Sequence, residues 1–282
     1  FEPGSIFKSV SAMAILESGT MTPESELFCP SEIEADGYII SDAHDRGDAT
    51  FTLEQIMDQS SNIGISLATE NATVGDVSGF RNLYNKINEY NLHTKTGVDY
   101  PGEGEAGTDY LGALLPFDEW SKVTGYNVSF GQGLSLTPLQ ITRFYGALVN
   151  DGVECTPHFL LSKPQSGETA EYGSDAVIKD KKAIDDLTSM LKTVVTEGTG
   201  KAAAIDGFNV AGKTSTAEIY DEKNGGYRKG VYNLAFTGFL ADSSSQLVCF
   251  VGANETEYGS IVTPVFKDIM STAIDRFQIM PE

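Results

Sequence analysis

The sequence of 282 residues predicts an α+β fold, in which helices flank an antiparallel sheet and a mostly helical lobe lies beside it. Helical periodicity fills most of the chain, three consecutive segments then change to strand-like patterns, and a last helical pattern closes the sequence. No internal repeat, low-complexity tract or linker interrupts this order. We therefore expect residues 1–282 to form a single domain.

Apolar spacing and capping residues mark the helices. The segment "SIFKSVSAMAILESG" is apolar over most of its circumference, which predicts a helix buried at the centre of the domain. Thr52 is a candidate N-cap for "LEQIMDQS", and Thr137 is one for the helix that Pro138 starts and Gly152 closes. The other helical patterns are "IGISLATE", "VSGFRNLYNKINEYN", "KKAIDDLTSMLKTVVTEG" and "VTPVFKDIMSTAIDRF".

Three segments near the C-terminus are typical of strands. They are "FNVAGKTSTAEIY", "YNLAFTGFLA" and "QLVCFVGA", and the turn-rich "DEKNGGYRKG" separates the first two. Residues 20–50 hold Pro, Gly and acidic residues with little periodicity, which indicates loop with short strands.

The composition excludes several classes of function. The 19 basic residues against 40 acidic ones give a net charge of -21, and such a surface repels nucleic acid and anionic lipid. Three widely spaced cysteines without a CxxC pair form neither a disulfide scaffold nor a zinc site, and the histidines lack metal-binding spacing. We expect no metal and no nucleic-acid partner. No segment approaches the roughly 20 apolar residues of a membrane span.

A Ser-x-x-Lys motif at residues 5–8, here called the first motif, supplies a candidate nucleophile, Ser5, and its base, Lys8. A serine hydroxyl attacks once a nearby base removes its proton, and residues i and i+3 of a helix share a face. Lys8 has to be neutral for this role, and burial together with a second cation at Lys213 is expected to lower its pKa. Ser5 stands at the helix start, where free N–H groups favour a developing oxyanion.

A second Ser-x-x-Lys copy occupies residues 189–192. Ser189 lies inside an amphipathic helix, well away from its start, so it lacks free N–H donors. We interpret this copy as an ordinary part of the helix surface.

The second motif is Ser-Ser-Asn at residues 60–62, at the junction of two helical patterns. Ser60 is placed to relay a proton between Lys8 and a leaving group, and the Asn62 amide to bind a substrate carbonyl. The alternative is an N-cap for the following helix, which Ser and Asn both favour.

The third motif, Lys-Thr-Ser-Thr at residues 213–216, competes with a literal Lys-Thr-Gly at residues 95–97. The literal copy is followed by a Pro-Gly turn, whereas the third motif lies within a credible strand. A strand edge binds an extended peptide by β-addition, with Lys213, Thr214 and Thr216 offering a cation and hydroxyls to a carboxylate. The Thr216 N–H is a second candidate oxyanion donor. The sequence therefore favours the third motif over the literal match.

In this order, the three motifs resemble those of the transpeptidase domain of class B penicillin-binding proteins, the group that includes cell-division and sporulation transpeptidases. Further segments resemble the same family from end to end: "FEPGSIFK", "LEQIMDQSSNIG", "TGVDYPGE", "SFGQGLSLTPLQ" and "TPVFKDIM". The resemblance implies catalytic roles for Ser5, Lys8, Ser60 and Lys213, and substrate binding by Asn62, Thr214 and Thr216.

The same resemblance implies a serine D,D-transpeptidase that cross-links peptidoglycan stem peptides ending in D-Ala-D-Ala and is acylated by β-lactams, without a cofactor. It implies a glycosyltransferase and other cell-wall synthesis proteins as partners. It also implies work at the outer face of the bacterial cytoplasmic membrane, through an anchor and a pedestal domain that precede this chain. The alternatives are a scaffold with impaired catalysis, and a hydrolase of the D,D-carboxypeptidase or β-lactamase type.

Ser215 departs from the family pattern, because a glycine normally occupies the third position of Lys-Thr-Gly. Strand alternation points residue 215 away from its neighbours in the third motif. If Ser215 faces the ligand, its side chain should slow acylation. If it faces the interior of the sheet, a small serine should fit, and we expect the second case.

Overall fold

A buried helix lies at the centre of the molecule, as the sequence predicts. The computed structural model describes residues 1–103, 112–163, 165–220, 225–257 and 261–281. A short 3-10 turn (Gly4–Phe7) leads into α1 (Lys8–Ser18), in which every residue from position 8 to position 16 is buried. The left-handed Gly19 ends the helix.

Seven further helices follow α1 in the described part of the chain. Their bounds are α2 (Leu53–Asp58), α3 (Asn62–Asn71), α4 (Gly79–Glu89), α5 (Lys122–Ser129), α6 (Pro138–Val149), α7 (Lys181–Thr196) and α8 (Val262–Phe277). Short 3-10 helices lie at Phe117–Glu119 and Lys201–Ala203.

The predicted N-caps are confirmed. Thr52 and Thr137 each accept a hydrogen bond from the backbone of a glutamine three residues on, whose side chain returns to the cap. Helix α5 was not predicted, because its sequence "KVTGYNVS" contains a glycine and β-branched residues of low helix propensity. Its N-cap, Ser121, was the available signal.

Among the described residues, eight short strands form two-stranded antiparallel pairs outside the main sheet. β1 (Glu26–Cys29) pairs with β4 (Ala49–Thr52), and β2 (Glu32–Ala35) pairs with β3 (Tyr38–Ser41). β5 (Val153–Cys155) pairs with β8 (Ser174–Ala176), and β6 (Ser162–Lys163) pairs with β7 (Glu168–Thr169). The prediction of loop with short strands over residues 20–50 is therefore confirmed.

The main sheet consists of three antiparallel strands in the described part of the chain, in the order β11-β10-β9. These are β9 (Asn209–Tyr220), β10 (Tyr227–Ala241) and β11 (Val248–Thr256), the three segments that the sequence predicts as consecutive strands. Helices pack against this antiparallel sheet, so the α+β prediction is confirmed.

Each face of the main sheet packs on a different hydrophobic cluster. Leu234, Phe236 and Leu240 of β10 share one cluster with α8, whereas Ala235 and Phe239, on the opposite face, belong to the cluster around α1. The side chains at positions 213 and 215 of β9 lie on the α1 face, since their partners in the register are Thr237 and Ala235. The third motif therefore adjoins the first.

No helix among the residues described above combines the length and the apolar character that a membrane crossing requires.

Candidate active site

The turn that carries Ser5 packs closely against a glycine-rich loop. Gly4 has a left-handed φ of 53° and donates its N–H to the carbonyl of Gly131 at 2.9 Å. A Cβ atom on Gly131 would lie 2.1 Å from the Gly4 carbonyl oxygen, so a larger residue would push the turn away. Ser5 itself is partly exposed and lies just before α1, the position that the sequence predicts.

The Lys8 side chain is fully buried and faces the second motif. Its Nζ donates to the carbonyl oxygen of Ser60 at 2.5 Å, to the hydroxyl oxygen of Ser60 at 3.1 Å and to Oδ1 of Asn62 at 2.8 Å. Three predicted site residues from two parts of the chain therefore meet at one nitrogen.

The second motif contains the predicted N-cap, and two of its residues contact Lys8. Ser61 is the N-cap of α3 and accepts the N–H of Gly64 at 2.9 Å. Ser60 adopts a left-handed φ of 55°, which is costly outside glycine, and this conformation accompanies the two contacts of Ser60 with Lys8. Asn62 directs Nδ2 to the carbonyl of Ser41 at 3.1 Å, and its second amide hydrogen can still serve a substrate carbonyl.

A carboxylate that sequence reasoning missed supports the second motif. Asp42 follows β3 and accepts hydrogen bonds from the Ser61 hydroxyl at 2.9 Å, from the backbone N–H of Ile63 at 3.0 Å and from Nε of Arg46 at 2.5 Å. Its negative charge also raises the pKa of Lys8. No motif or periodicity marks this loop, so the sequence carried no signal for it.

The two lysines of the site are both buried and both have lowered pKa values. Burial lowers the pKa of Lys8 well below its usual value, and the charge of Lys213 lowers it further, which are the two causes that the sequence predicts. Burial also lowers the pKa of Lys213 to about 7, while the nearby carboxylate of Asp58 acts in the opposite direction. Asp58 is a further residue that the sequence did not identify.

The two threonines of the third motif lie on the face of β9 opposite to Lys213. Thr216 is exposed, and the hydroxyl of Thr214 is 2.7 Å from that of Thr199. β9 is an edge strand of the main sheet within the described ranges, because the order is β11-β10-β9. An extended peptide could therefore add to its outer edge.

Ser215 faces the interior. Its side chain lies on the α1 face of the sheet, is 4% exposed and donates a hydrogen bond to the carbonyl of Pro3 at 2.7 Å. The alternative in which Ser215 faces the ligand is therefore wrong, and the expected inward orientation is confirmed.

The literal Lys-Thr-Gly and the second Ser-x-x-Lys copy lie outside this site. Lys95 is exposed, and Glu103 accepts hydrogen bonds from Thr96 and Gly97, which holds the literal Lys-Thr-Gly in a loop. Ser189 is exposed on α7, and the lysine three residues later pairs with an aspartate at 2.9 Å. Both interpretations made from the sequence are confirmed.

No group of three or more His, Cys, Asp or Glu side chains that could hold a metal ion occurs among the residues that the structure describes.

Comparison with known proteins confirms the family resemblance. The family model for the penicillin-binding protein transpeptidase domain matches residues 1–271. The chain is 32% identical to penicillin-binding protein PbpB of Mycobacterium tuberculosis, over 98% of this chain and 41% of that protein. It is 29% identical to stage V sporulation protein D of Bacillus subtilis, over 100% of this chain and 43% of that protein. The chain thus spans less than half the length of these relatives.

A solved structure shows the same fold. The chain superposes on penicillin-binding protein 3 of Mycobacterium tuberculosis, in its complex with aztreonam, with a TM-score of 0.87 and 29% identity, covering all of this chain and 64% of that one.

Proposed function

Because the chain belongs to the class B penicillin-binding protein transpeptidase family, we propose that it is a serine D,D-transpeptidase that cross-links peptidoglycan stem peptides. The observation that carries the proposal is the environment of Lys8, which follows Ser5 by one helical turn. Its buried Nζ lies 3.1 Å from the hydroxyl oxygen of Ser60, and its pKa is lowered. A lysine whose pKa is lowered can lose its own proton and then take that of a serine hydroxyl, which a serine acyl transfer requires.

In the acylation step, Lys8 takes the proton of Ser5 while Oγ attacks the carbonyl of the penultimate D-Ala. The N–H groups of Ser5 and Thr216 are the proposed donors to the oxyanion that forms. The C–N bond then breaks, and the departing D-Ala amine receives a proton from Lys8 through the Ser60 hydroxyl. The product is an ester between the stem peptide and Ser5.

The second step regenerates the enzyme and forms the cross-link. An amine of a neighbouring peptidoglycan strand attacks the ester, loses a proton to the same relay and displaces Oγ of Ser5, which recovers its hydrogen. A β-lactam would follow the first step only, because its ring-opened leaving group stays attached to the acyl group. The structure of the Mycobacterium tuberculosis relative in complex with aztreonam is consistent with this expectation.

Substrate recognition would combine the edge of β9 with the third motif. The donor peptide would pair with the outer edge of β9, and Asn62 would bind its amide carbonyl. Lys213 in its cationic form would attract the terminal carboxylate, and the hydroxyls of Thr216 and Thr214 would add hydrogen bonds.

We further propose that the domain works at the outer face of the bacterial cytoplasmic membrane, as the single transpeptidase domain of a longer protein with a pedestal and an anchor. A glycosyltransferase and other cell-wall synthesis proteins would supply and organise the glycan strands. The extra length of the relatives supports this arrangement, since this chain spans 41% of the first and 43% of the second.

Labelling with a fluorescent penicillin tests the assignment of the nucleophile. The wild-type protein should form a stable covalent adduct, and Ser5→Ala should lose it entirely because no oxygen remains to acylate. Ser189→Ala is the matched control, since it removes the serine of the other Ser-x-x-Lys copy, and it should label like wild type. Folded wild-type protein that stays unlabelled at high penicillin concentration would favour the scaffold alternative.

A product assay separates the transpeptidase from a hydrolase. With a D-Ala-D-Ala peptide and an amine acceptor, the acyl group should appear in the amide product. Exclusive release of the free acid at saturating acceptor would favour the carboxypeptidase alternative.

A further inference from the structure

Ser215 joins the strand of the third motif to the turn of the nucleophile. Its hydroxyl donates to the carbonyl of Pro3 at 2.7 Å, in a buried hydrogen bond between residues 212 positions apart. Pro3 is itself buried and stands two residues before Ser5. A glycine at position 215 has no side chain with which to make this bond.

The backbone before Ser5 is held from two sides at this point. The Ser215 hydroxyl binds the carbonyl of Pro3, and the next peptide N–H, that of Gly4, binds the carbonyl of Gly131 at 2.9 Å. The fit on the β9 side is close, because a Cβ atom on Gly4 would lie 2.5 Å from Oγ of Ser215. The hydroxyl therefore occupies space that the bare Gly4 leaves open.

We propose that Ser215 is a positioning residue for acylation, which fixes the turn of Ser5 against β9. The inference rests on the proposed transpeptidase function. Thr216 and Lys213 lie on the same strand, so the hydrogen bond sets the nucleophile relative to the groups that bind the oxyanion and the carboxylate. A small displacement of a nucleophile from these groups lowers the rate of the chemical step.

Ser215 therefore does more than fill the place of a glycine. Its small side chain fits the interior, as expected from its size. The hydrogen bond to Pro3 adds a function that size alone does not predict. Removal of the hydroxyl would also leave the carbonyl of Pro3 without this buried donor.

The test separates binding from chemistry in Ser215→Ala. The dissociation constant K of the non-covalent penicillin complex and the acylation rate constant k2 are measured by stopped-flow with a fluorescent penicillin. We expect k2 to fall on the order of tenfold, as for a modest misplacement of a reacting group. K should stay within about twofold and the pH dependence of k2 should not shift, because the lysines are untouched.

Ser11→Ala is the matched control. Ser11 lies on α1 and donates an equally buried hydrogen bond to the carbonyl of Ser129 at 2.7 Å. This bond does not involve the turn of Ser5. Ser11→Ala should lower the melting temperature about as much as Ser215→Ala while leaving k2 unchanged. If Ser215→Ala fails to fold, Ser215→Gly, which restores the family residue, is measured in its place.

Three outcomes are distinguishable. A selective fall of k2 in the Ser215 variant supports the inference. An unchanged k2 in that variant, or an equal fall in Ser11→Ala, overturns the inference while wild-type labelling leaves the proposed function intact. Wild-type protein that is not acylated at all would overturn the proposed function and the positioning role with it.

Discussion

At the scale of single residues, Lys8 and Lys213 are the two buried lysines to which we assign the proposed roles of base and cation. Burial lowers the pKa of both Lys8 and Lys213, and the charge of Lys213 lowers the pKa of Lys8 further. A charged Lys213 therefore helps to keep Lys8 neutral. The carboxylate of Asp58 favours the charged form of Lys213, so it supports the proposed division of the two roles.

This arrangement predicts a shift in the pH profile of Asp58→Asn. The second-order constant for acylation should rise as Lys8 loses its proton and fall near pH 7, where Lys213, with its pKa of about 7, loses the charge that binds a carboxylate. Asp58 raises the pKa of Lys213, so its removal lowers that pKa. The falling limb of Asp58→Asn should therefore move to lower pH, as measured by penicillin labelling between pH 5 and about 9.

The matched control for this prediction is Glu54→Gln. Glu54 lies one turn earlier on α2 and is not among the causes that shift the pKa of Lys213. Its variant should keep the falling limb in place. A falling limb that does not move in Asp58→Asn would show that another group controls the alkaline side of the profile.

At the scale of elements, the loop between β3 and β4 holds the second motif in place. The carboxylate of Asp42 accepts hydrogen bonds from the N-cap of α3, from the N–H of Ile63 and from Arg46. An asparagine offers one acceptor oxygen and no charge, so one of these donors loses its partner. The junction between α2 and α3, which presents Ser60 to Lys8, depends on this loop.

We therefore expect two effects in Asp42→Asn. The free energy of unfolding should fall by about 1–3 kcal/mol, as for the loss of a partly buried charged hydrogen bond. The rising limb of acylation should move to lower pH, because Asp42 raises the pKa of Lys8 and its removal lowers that pKa. Urea unfolding and the labelling profile measure the two effects separately.

Asp45→Asn is the control for the charge of the loop, because Asp45 is exposed and lies three residues further on. This variant should leave the free energy of unfolding and the rising limb of the pH profile of acylation nearly unchanged. If Asp42→Asn and Asp45→Asn change stability and the pH profile equally, the effects arise from the general negative charge of the loop and not from the specific contacts of Asp42.

Elements that depend on local signals could be predicted from the sequence, whereas contacts between distant residues could not. Local signals were sufficient for the capped helices, since Thr52 and Thr137 act on residues three positions away. The strand pattern around the third motif, against the Pro-Gly turn after the literal Lys-Thr-Gly, was sufficient to choose between the two copies. The bonds that Asp42 accepts from Ser61 and Ile63 join residues 19 and 21 positions apart, and the bond between Ser215 and Pro3 joins residues 212 positions apart. No periodic pattern in a sequence records such pairings.

At the scale of the whole molecule, the site lies where the helical lobe meets the sheet. The first and second motifs come from helices and the turns before them, and the third motif comes from β9. The packing of β9 against the turn of Ser5 therefore sets the distance between the first and third motifs. Close packing there explains why glycines occur at positions 4 and 131. It also explains why a single hydroxyl at position 215 reaches the backbone of the turn that carries Ser5.

The net charge of -21 leads to the last prediction, a stabilisation by salt. With 40 acidic and 19 basic side chains, many carboxylates repel one another without a cationic neighbour, and this repulsion acts against the compact state. Added salt screens this repulsion, with a Debye length of about 10 Å at 0.1 M. The melting temperature should therefore rise between low salt and about 0.15 M NaCl, with most of the increase at the lower concentrations.

Salt also weakens surface ion pairs, such as the one between Lys181 and Asp151 at 2.9 Å, and this effect has the opposite sign. Repulsion should dominate because the unbalanced acidic charges extend over the whole surface, whereas an exposed ion pair contributes about 1 kcal/mol or less. Sucrose at equal osmolality is the control that separates screening from general solute exclusion. A melting temperature that falls steadily with NaCl would mean that local ion pairs outweigh the net charge.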